Sequence, residues 1–206
     1  MSEPLLEARG VTKSFGGVRA LRGADFAVHP GEVAALVGDN GAGKSTLVKI
    51  LSGTLDPDGG EIRFEGRQVT IPNPVAAREL GIETVYQDLA LAPELNPAAN
   101  LSGGQRQSVA VSRAATWVSK VVFMDEPTAA LGVVQSAKVR DLIRRVRDSG
   151  IAVVLISHNM PEVMELADRI EVLRLGVRVA RFRAADTTME QVIAAMTGAL
   201  GNEDVA

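Results

Sequence analysis

The stretch Gly38-Asp39-Asn40-Gly41-Ala42-Gly43-Lys44-Ser45-Thr46 decides the reading of this chain. It follows an apolar run, Val33-Ala34-Ala35-Leu36-Val37, and precedes Leu47-Val48-Lys49-Ile50-Leu51. The order is strand, glycine loop, helix, which is what a phosphate-binding loop requires. Glycines let successive backbone N–H groups turn inward and form a concave nest for an anion. The helix opening near Lys44 adds the positive end of its dipole. Lys44 supplies a cation for β- and γ-phosphates, and the Ser45 hydroxyl is placed to ligate Mg²⁺. A glycine-rich turn with no ligand is the plainer alternative, and the full spacing with both flanks argues against it.

Working outward, 206 residues suffice for one domain with a sizeable core. The 46% apolar and 23% charged fractions are those of an ordinary globular protein. A formal net charge of −3 gives no electrostatic case for nucleic acid or an anionic membrane. The chain has no cysteine, which excludes disulfides and thiolate chemistry, and its two histidines argue against structural zinc. The opening Met1-Ser2-Glu3-Pro4 lacks the features of a signal peptide, and the apolar run Ile151–Ile156 is too short to span a bilayer. A cytoplasmic location is therefore expected.

Before the loop, Leu5–Val11, Phe26–Val28 and Glu32–Val37 read as short strands broken by glycines and Pro30, which suggests antiparallel pairing. After it, a helix over 44–52 ends at Gly53, and Asp56–Gly60 marks a turn. Glu61–Phe64 and Gln68–Ile71 read as a hairpin, Pro74 starts a short helix to Leu80, and Ile82–Tyr86 is a buried strand. Residues 88–100 show no helical period, and Ser102–Trp117 reads as loop then helix. Val121–Met124 and Ala152–Ile156 are buried strands. Val134, Ala137, Leu142, Ile143 and Val146 form a helical stripe between them. A helix over 161–167, two strands over 169–182 about Gly176, and a helix over Met189–Met196 complete the reading, with 198–206 frayed. Strands alternating with amphipathic helices predict an α/β fold with a mainly parallel sheet, preceded by an antiparallel β subdomain.

Two further constellations carry chemistry. Val121-Val122-Phe123-Met124 ends in Asp125-Glu126, placing acids at the carboxyl end of a buried strand, where parallel sheets bind ligands. Asp125 can hold magnesium through water, and Glu126 can orient or deprotonate a water attacking a γ-phosphate. Alone, the pair reads equally well as a strand meeting solvent. Leu101-Ser102-Gly103-Gly104-Gln105 sets small residues at a helix start, offering amides and a hydroxyl to an anion.

Phosphate loop, Leu-Ser-Gly-Gly-Gln and acidic strand end, in that order, resemble the ATP-binding cassette (ABC) transporter family over nearly the whole chain. The resemblance implies a P-loop NTPase core that binds ATP and Mg²⁺ and hydrolyses ATP. Residue by residue, it implies that Phe15 stacks on adenine, an interaction worth about 1–3 kcal/mol. It makes Gln87 a contact to magnesium and the attacking water, and His158 the switch histidine on the γ-phosphate. Glu126 becomes the catalytic carboxylate, and Ser102, Gly103, Gly104 and Gln105 the signature that meets ATP bound by a second cassette. Val85–Leu91, Asp125–Gly132 and Ile156–Met160 resemble monosaccharide importers of the ribose and fructose type. Implied partners are transmembrane permease subunits and a second cassette in a homodimer, on the inner face of the cell membrane, and no nucleic acid. His29 reads as a solvated turn residue, Trp117 as helix packing, and Arg140, Arg144, Arg145 and Arg147 as a solvated helix face.

Two departures from the family stand out. Only residues 88–100 separate Gln87 from Leu101, where members carry a helical subdomain, so that subdomain is truncated. Gly132 stands where many cassettes have aspartate. A single nucleotide-binding domain over 1–206 is expected, with 88–100 as a linker; fully extended it could reach roughly 46–50 Å. The alternative is a deletion derivative that binds nucleotide without productive dimerisation or transport. On either reading Lys44→Ala should weaken Mg-ATP binding, measured by calorimetry, because the phosphates lose their cation.

Overall fold

The computed structural model describes residues 3–85, 119–129 and 131–199. Two sheets organise them. The first is antiparallel, built from β1 (Leu6–Phe15), β2 (Val18–Val28), β4 (Gly59–Phe64) and β5 (Arg67–Val69) in the order β2-β1-β4-β5. The second contains β3 (Val33–Val37), β6 (Ile82–Val85), β7 (Val121–Asp125), β8 (Ala152–Ile156), β9 (Arg169–Arg174) and β10 (Val177–Arg183). Its order is β10-β9-β3-β8-β7-β6, parallel except for the β9–β10 hairpin. The fold is α/β with a mainly parallel sheet and an N-terminal antiparallel subdomain, as the sequence predicts.

Every residue of β3 and β8 is buried, because helices or the other sheet cover both faces. On one face α1 (Lys44–Leu51) packs Leu47, Val48, Ile50 and Leu51 between the two sheets, against Phe26, Leu36 and Phe123. On the other face lie α3 (Val133–Asp148), α4 (Met160–Leu166) and α5 (Met189–Thr197). With α2 (Pro74–Glu79), these are the five α-helices among the described residues. None of them is long and apolar enough to cross a membrane.

Two expectations need correction. The N-terminal strands are longer than predicted: β1 runs on to Phe15 and β2 starts at Val18, joined by the turn at Gly16-Gly17. Shifts of register near Gly10 and Gly23 absorb residues that read as strand breaks in the sequence. On α3 the buried stripe is Val139, Ile143 and Val146, whereas Val134 is exposed. The expected sites Gln87, Ser102, Gly103, Gly104 and Gln105, the stretch 88–100, Trp117 and the chain end beyond Ala199 lie outside the described residues.

A buried ionic group ties the two sheets together. Glu171 of β9 is fully buried and meets Arg181 at 2.7 Å, Arg178 at 3.6 Å and Arg169 at 3.7 Å. Arg169 also donates to the Ala27 carbonyl of β2 at 2.6 Å and pairs with Glu32 at 2.5 Å. Burial pushes the Glu171 carboxyl above the usual carboxylate range, while the three arginines pull the other way.

The second tie is backbone on backbone. Arg22 N–H donates to the Gly176 carbonyl at 2.8 Å, and Gly176 N–H donates to Ala42 of the phosphate loop at 3.0 Å. Gly176 has φ +78°, and a Cβ there would sit 2.7 Å from the Ala20 carbonyl oxygen and 3.0 Å from Leu21 Cα. Gly176→Ala should therefore cost about 1–3 kcal/mol of stability, read as a lowered melting temperature. It should weaken nucleotide binding as well, although residue 176 is remote from the loop in sequence.

Candidate functional site

β8 lies between β3 and β7, so the carboxyl ends of three adjacent parallel strands open onto one edge of the sheet. β3 leads into residues 38–46, β7 ends at Asp125, and β8 leads through Ser157 to His158. Register keeps the ends level, with Ile156 opposite both Leu36 and Asp125. Ligands bind parallel sheets at such an edge because strand and helix ends leave unpaired backbone groups there.

The phosphate loop closes on itself through Ala42 N–H to the Asp39 carbonyl, 3.1 Å. At the N-cap of α1 stands Gly43, φ +104°, with no side-chain cap. That leaves the first-turn N–H groups of α1 available to an anion. A Cβ on Gly43 would sit 2.7 Å from Leu21 Cδ2 and 2.8 Å from the Ala20 carbonyl oxygen, so β2 passes directly against the loop. Lys44 lies half-buried, its Nζ donating to the carbonyls of Gly38 at 2.5 Å and Asp39 at 3.1 Å. Ser45 is exposed at the start of α1.

Lys44, Asp125 and Glu126 share one electrostatic neighbourhood. Desolvation lowers the Lys44 ammonium below its ordinary range, against the pull of Glu126, Asp39 and Asp125. Burial first, then Glu126, raises the Asp125 carboxyl, which Lys44 partly offsets. Crowding of like charge and partial desolvation is the arrangement expected where a cation is to be received. Ser45 and Asp125 present hard oxygen donors, which suit Mg²⁺. Among the described residues no group of three His, Asp or Glu side chains is set to hold a metal by itself. Mg²⁺ is commonly held by one or two protein groups together with phosphates and water.

Glu126 has φ +50°, a left-handed conformation for a non-glycine residue, and its N–H donates to the Ile156 carbonyl at 2.8 Å. Such strain, about 1–3 kcal/mol, persists only where the surroundings enforce it. Glu126 Oε1 accepts the His158 backbone N–H at 3.0 Å and lies 2.7 Å from His158 Nδ1. The carboxylate is largely covered, at 21% exposure, while the imidazole is 81% exposed.

Beneath His158 the turn is fixed by residues that the sequence reading passed over. Ser157 Oγ donates to buried Glu162 at 3.1 Å and accepts the Asn159 N–H at 3.1 Å. Asn159-Met160-Pro161-Glu162 announces a helix start, with an Asx cap and proline in the first turn. Nothing in that pattern signals that the glutamate turns inward.

Phe15 closes the β1–β2 hairpin opposite Val18 and is half-exposed, with Lys13 Nζ 5.9 Å from the ring centre. His29 is partly buried, its backbone N–H bonded to Glu32 at 2.7 Å. Arg140 pairs with Glu165 at 3.2 Å, Arg144 with Asp141 and Glu165, and Arg147 with Asp148 and Asp168. Arg140, Arg144 and Arg147 are thus ion-paired.

Comparison with known proteins bears on the whole chain. The sequence profile of the family described as ABC transporter matches residues 21–100. The chain is 46% identical to the fructose import ATP-binding protein FrcA of Rhizobium meliloti, covering 96% of this chain and 95% of that one. It is 43% identical to the xylose/arabinose import ATP-binding protein XylG of Sulfolobus acidocaldarius, covering 96% of each. Identity is 40% to the ribose import ATP-binding protein RbsA 1 of Rubrobacter xylanophilus, over 95% of this chain. Of that ribose relative's length the match spans 47%, about half. The fold is similar to a solved nucleotide-free ATP-binding cassette of an ABC transporter, with TM-score 0.82, 22% identity, and coverage of 97% and 100% of the two chains.

The direction of the Asp125 shift predicts its effect on stability. A carboxyl raised on folding penalises its charged form, so the cost is full at neutral pH and is relieved as pH falls through the folded value. Asp125→Asn should raise the melting temperature at pH 7 and flatten its pH dependence below neutrality, while weakening the Mg²⁺-dependent part of nucleotide binding.

Proposed function

The chain belongs to the ABC transporter family, and on that premise we propose that it is the ATP-binding and ATP-hydrolysing subunit of a monosaccharide importer. The observation that carries this reading is the meeting of the Lys44, Asp125, Glu126 and His158 loops at one sheet edge. The loop amides of 38–46 and Lys44 bind the β- and γ-phosphates, and Phe15 stacks on the adenine. Ser45 and Asp125 would hold Mg²⁺, with Gln87 joining them by resemblance; the ion offsets phosphate charge. Glu126 orients the attacking water and accepts its proton as the water oxygen bonds to the γ-phosphorus and ADP leaves. His158, joined to Glu126 Oε1 through Nδ1, contacts the γ-phosphate.

In this reading residues 1–206 form one nucleotide-binding domain with 88–100 as a linker, and nucleic acid is not a partner. Two copies pair head to tail, each ATP lying between residues 38–46 of one and Ser102, Gly103, Gly104 and Gln105 of the other. A solved cassette dimer bound to ADP and phosphate, TM-score 0.74, supports the pairing at the level of fold. The names of the relatives support carbohydrate import, and the family resemblance adds permease subunits as partners on the inner face of the membrane.

A second reading is favoured by one observation. The alignment with the fructose relative runs over 247 positions, more than the 206 residues of the chain, so that relative has residues without counterpart here. A lobe lost between Gln87 and Leu101 would leave Lys44, Ser45, Asp125, Glu126 and His158 intact. It would remove the neighbours that orient the signature. Displacement of reacting groups by ~1 Å can cost about 10²-fold in rate. The chain would then bind ATP better than it uses it.

Glu126→Gln separates the two readings. With a complete site, the variant should retain ATP and lose roughly 10²–10⁴ in turnover. Its sedimentation should show a tight dimer only with Mg-ATP. A monomer that still binds Mg-ATP, with negligible turnover in the parent, would favour the second reading.

A further inference from the structure

Asp58 stands outside every loop assigned so far, in the turn ahead of β4, yet its carboxylate reaches the end of β1. Oδ2 accepts the Ser14 backbone N–H at 2.7 Å, and Oδ1 accepts from Lys13 Nζ at 2.8 Å. Asp58 N–H in turn donates to the Thr12 carbonyl at 2.9 Å. β1 pairs with β4 only as far as Thr12 opposite Gly59. Beyond that point Lys13, Ser14 and Phe15 pair with β2 alone. A two-stranded ribbon is marginally stable in water. The Asp58 carboxylate extends the β4 edge by one bond, giving Ser14 N–H the partner that the strand no longer supplies.

Lys13 is held along with it. Its side chain is only 14% exposed, whereas that of Asp58 is 44% exposed, and its Nζ sits 5.9 Å from the centre of the Phe15 ring. Lys13 and the Ser14 N–H hold the Asp58 carboxyl below the usual range, so it stays ionised through neutral pH. An ammonium over one side of an aromatic ring is attracted to its π face and restrains it. The ribbon's other strand is itself fixed to the phosphate loop, since Ala20 and Leu21 abut Gly43. Phe15 thus stands at a set distance from the phosphates only as long as its own strand end is held.

We propose that Asp58 is a positioning residue for the base of the bound nucleotide, fixing the hairpin tip so that Phe15 offers one face to the adenine. This rests on the ATP-binding reading above. Its physical content is that Asp58 acts on the base and not on the phosphates. Losing the carboxylate lets the tip move, and the base then pays the ordering cost that the protein had already met.

The test compares Mg-ATP with Mg-tripolyphosphate, which lacks the base, by titration calorimetry on the full chain. Asp58→Ala should raise the Kd for ATP about three- to tenfold, the range of one ordinary net hydrogen bond, because Asp58 is 44% exposed, and leave that for tripolyphosphate unchanged. Asp58→Asn, which keeps an acceptor for Ser14 N–H but not the charge, should fall between. In a Phe15→Leu background Asp58→Ala should add nothing, because both act through the same ring. An equal loss for both ligands, an unchanged ATP affinity, or an undiminished effect without Phe15 would each overturn the proposal. If Asp58→Ala does not fold, Asp58→Asn decides by the same comparison. Should the parent bind neither ligand, the ATP reading fails and takes this one with it. Should it bind tripolyphosphate as tightly as ATP, the phosphate site stands and the base subsite falls.

Discussion

The structure depends on how closely β2 passes the phosphate loop. The backbone of Ala20 to Arg22 comes so near that neither Gly43 nor Gly176 has room for a Cβ, and Arg22 N–H and Gly176 N–H complete a chain of bonds ending on Ala42. This contact fixes the antiparallel sheet, the β9–β10 turn and the loop in one frame. The loop cannot be moved without moving the sheet beside it.

The same frame explains why an ionic group is tolerated inside. Glu171, Arg169, Arg178, Arg181 and Glu32 lie where the two sheets meet, beside an apolar core of Leu36, Phe26 and Leu173. An ion pair there adds little net stability, because desolvation offsets its attraction. What it adds is register: Arg169 reaches Ala27 of β2 only when β9 lies at the right height. Hydrophobic contact alone would accept a slide between the sheets. A slide would carry Phe15 away from residues 38–46, so geometry, more than stability, is what the buried charges contribute to the candidate site.

Legibility followed the range of the signal. The strand, glycine loop and helix around residues 38–46, the acidic end of β7 and the β8–His158 turn were readable because each is a local pattern of strand, small or polar residues, and helix. Strands β3, β7 and β8 were readable as unbroken apolar runs. The long β1–β2 hairpin was not, because Gly10 and Gly23 look like breaks until pairing shows that they take up register shifts. On α3 the periodic pattern included Val134, but only contact with β7 and β8 selects Val139, Ile143 and Val146 as its buried face. Glu162 under the His158 turn, and Glu171 between the sheets, have ordinary local contexts. Their burial is decided by elements far away in sequence, and local patterns do not carry that information.

Seen this way, the described residues divide the chemistry unevenly. On the proposed reading, Lys44, Ser45, Asp125 and Glu126 hang from the parallel sheet and from the backbone contact at Gly43. Glu126 is held by a strained φ, by the Ile156 carbonyl and by His158, so its carboxylate is placed before any ligand arrives. Preorganisation of this kind favours a site whose charges meet the reacting group without rearranging. Phe15, by contrast, rides on a ribbon that leaves the sheet at Thr12. On the proposed reading, phosphate contacts built on the sheet and a base contact built on a ribbon give nucleotide binding two separable parts. The sheet would then fix the reacting end of the nucleotide, and the ribbon, pinned near its tip by Asp58, would determine how well the base is recognised.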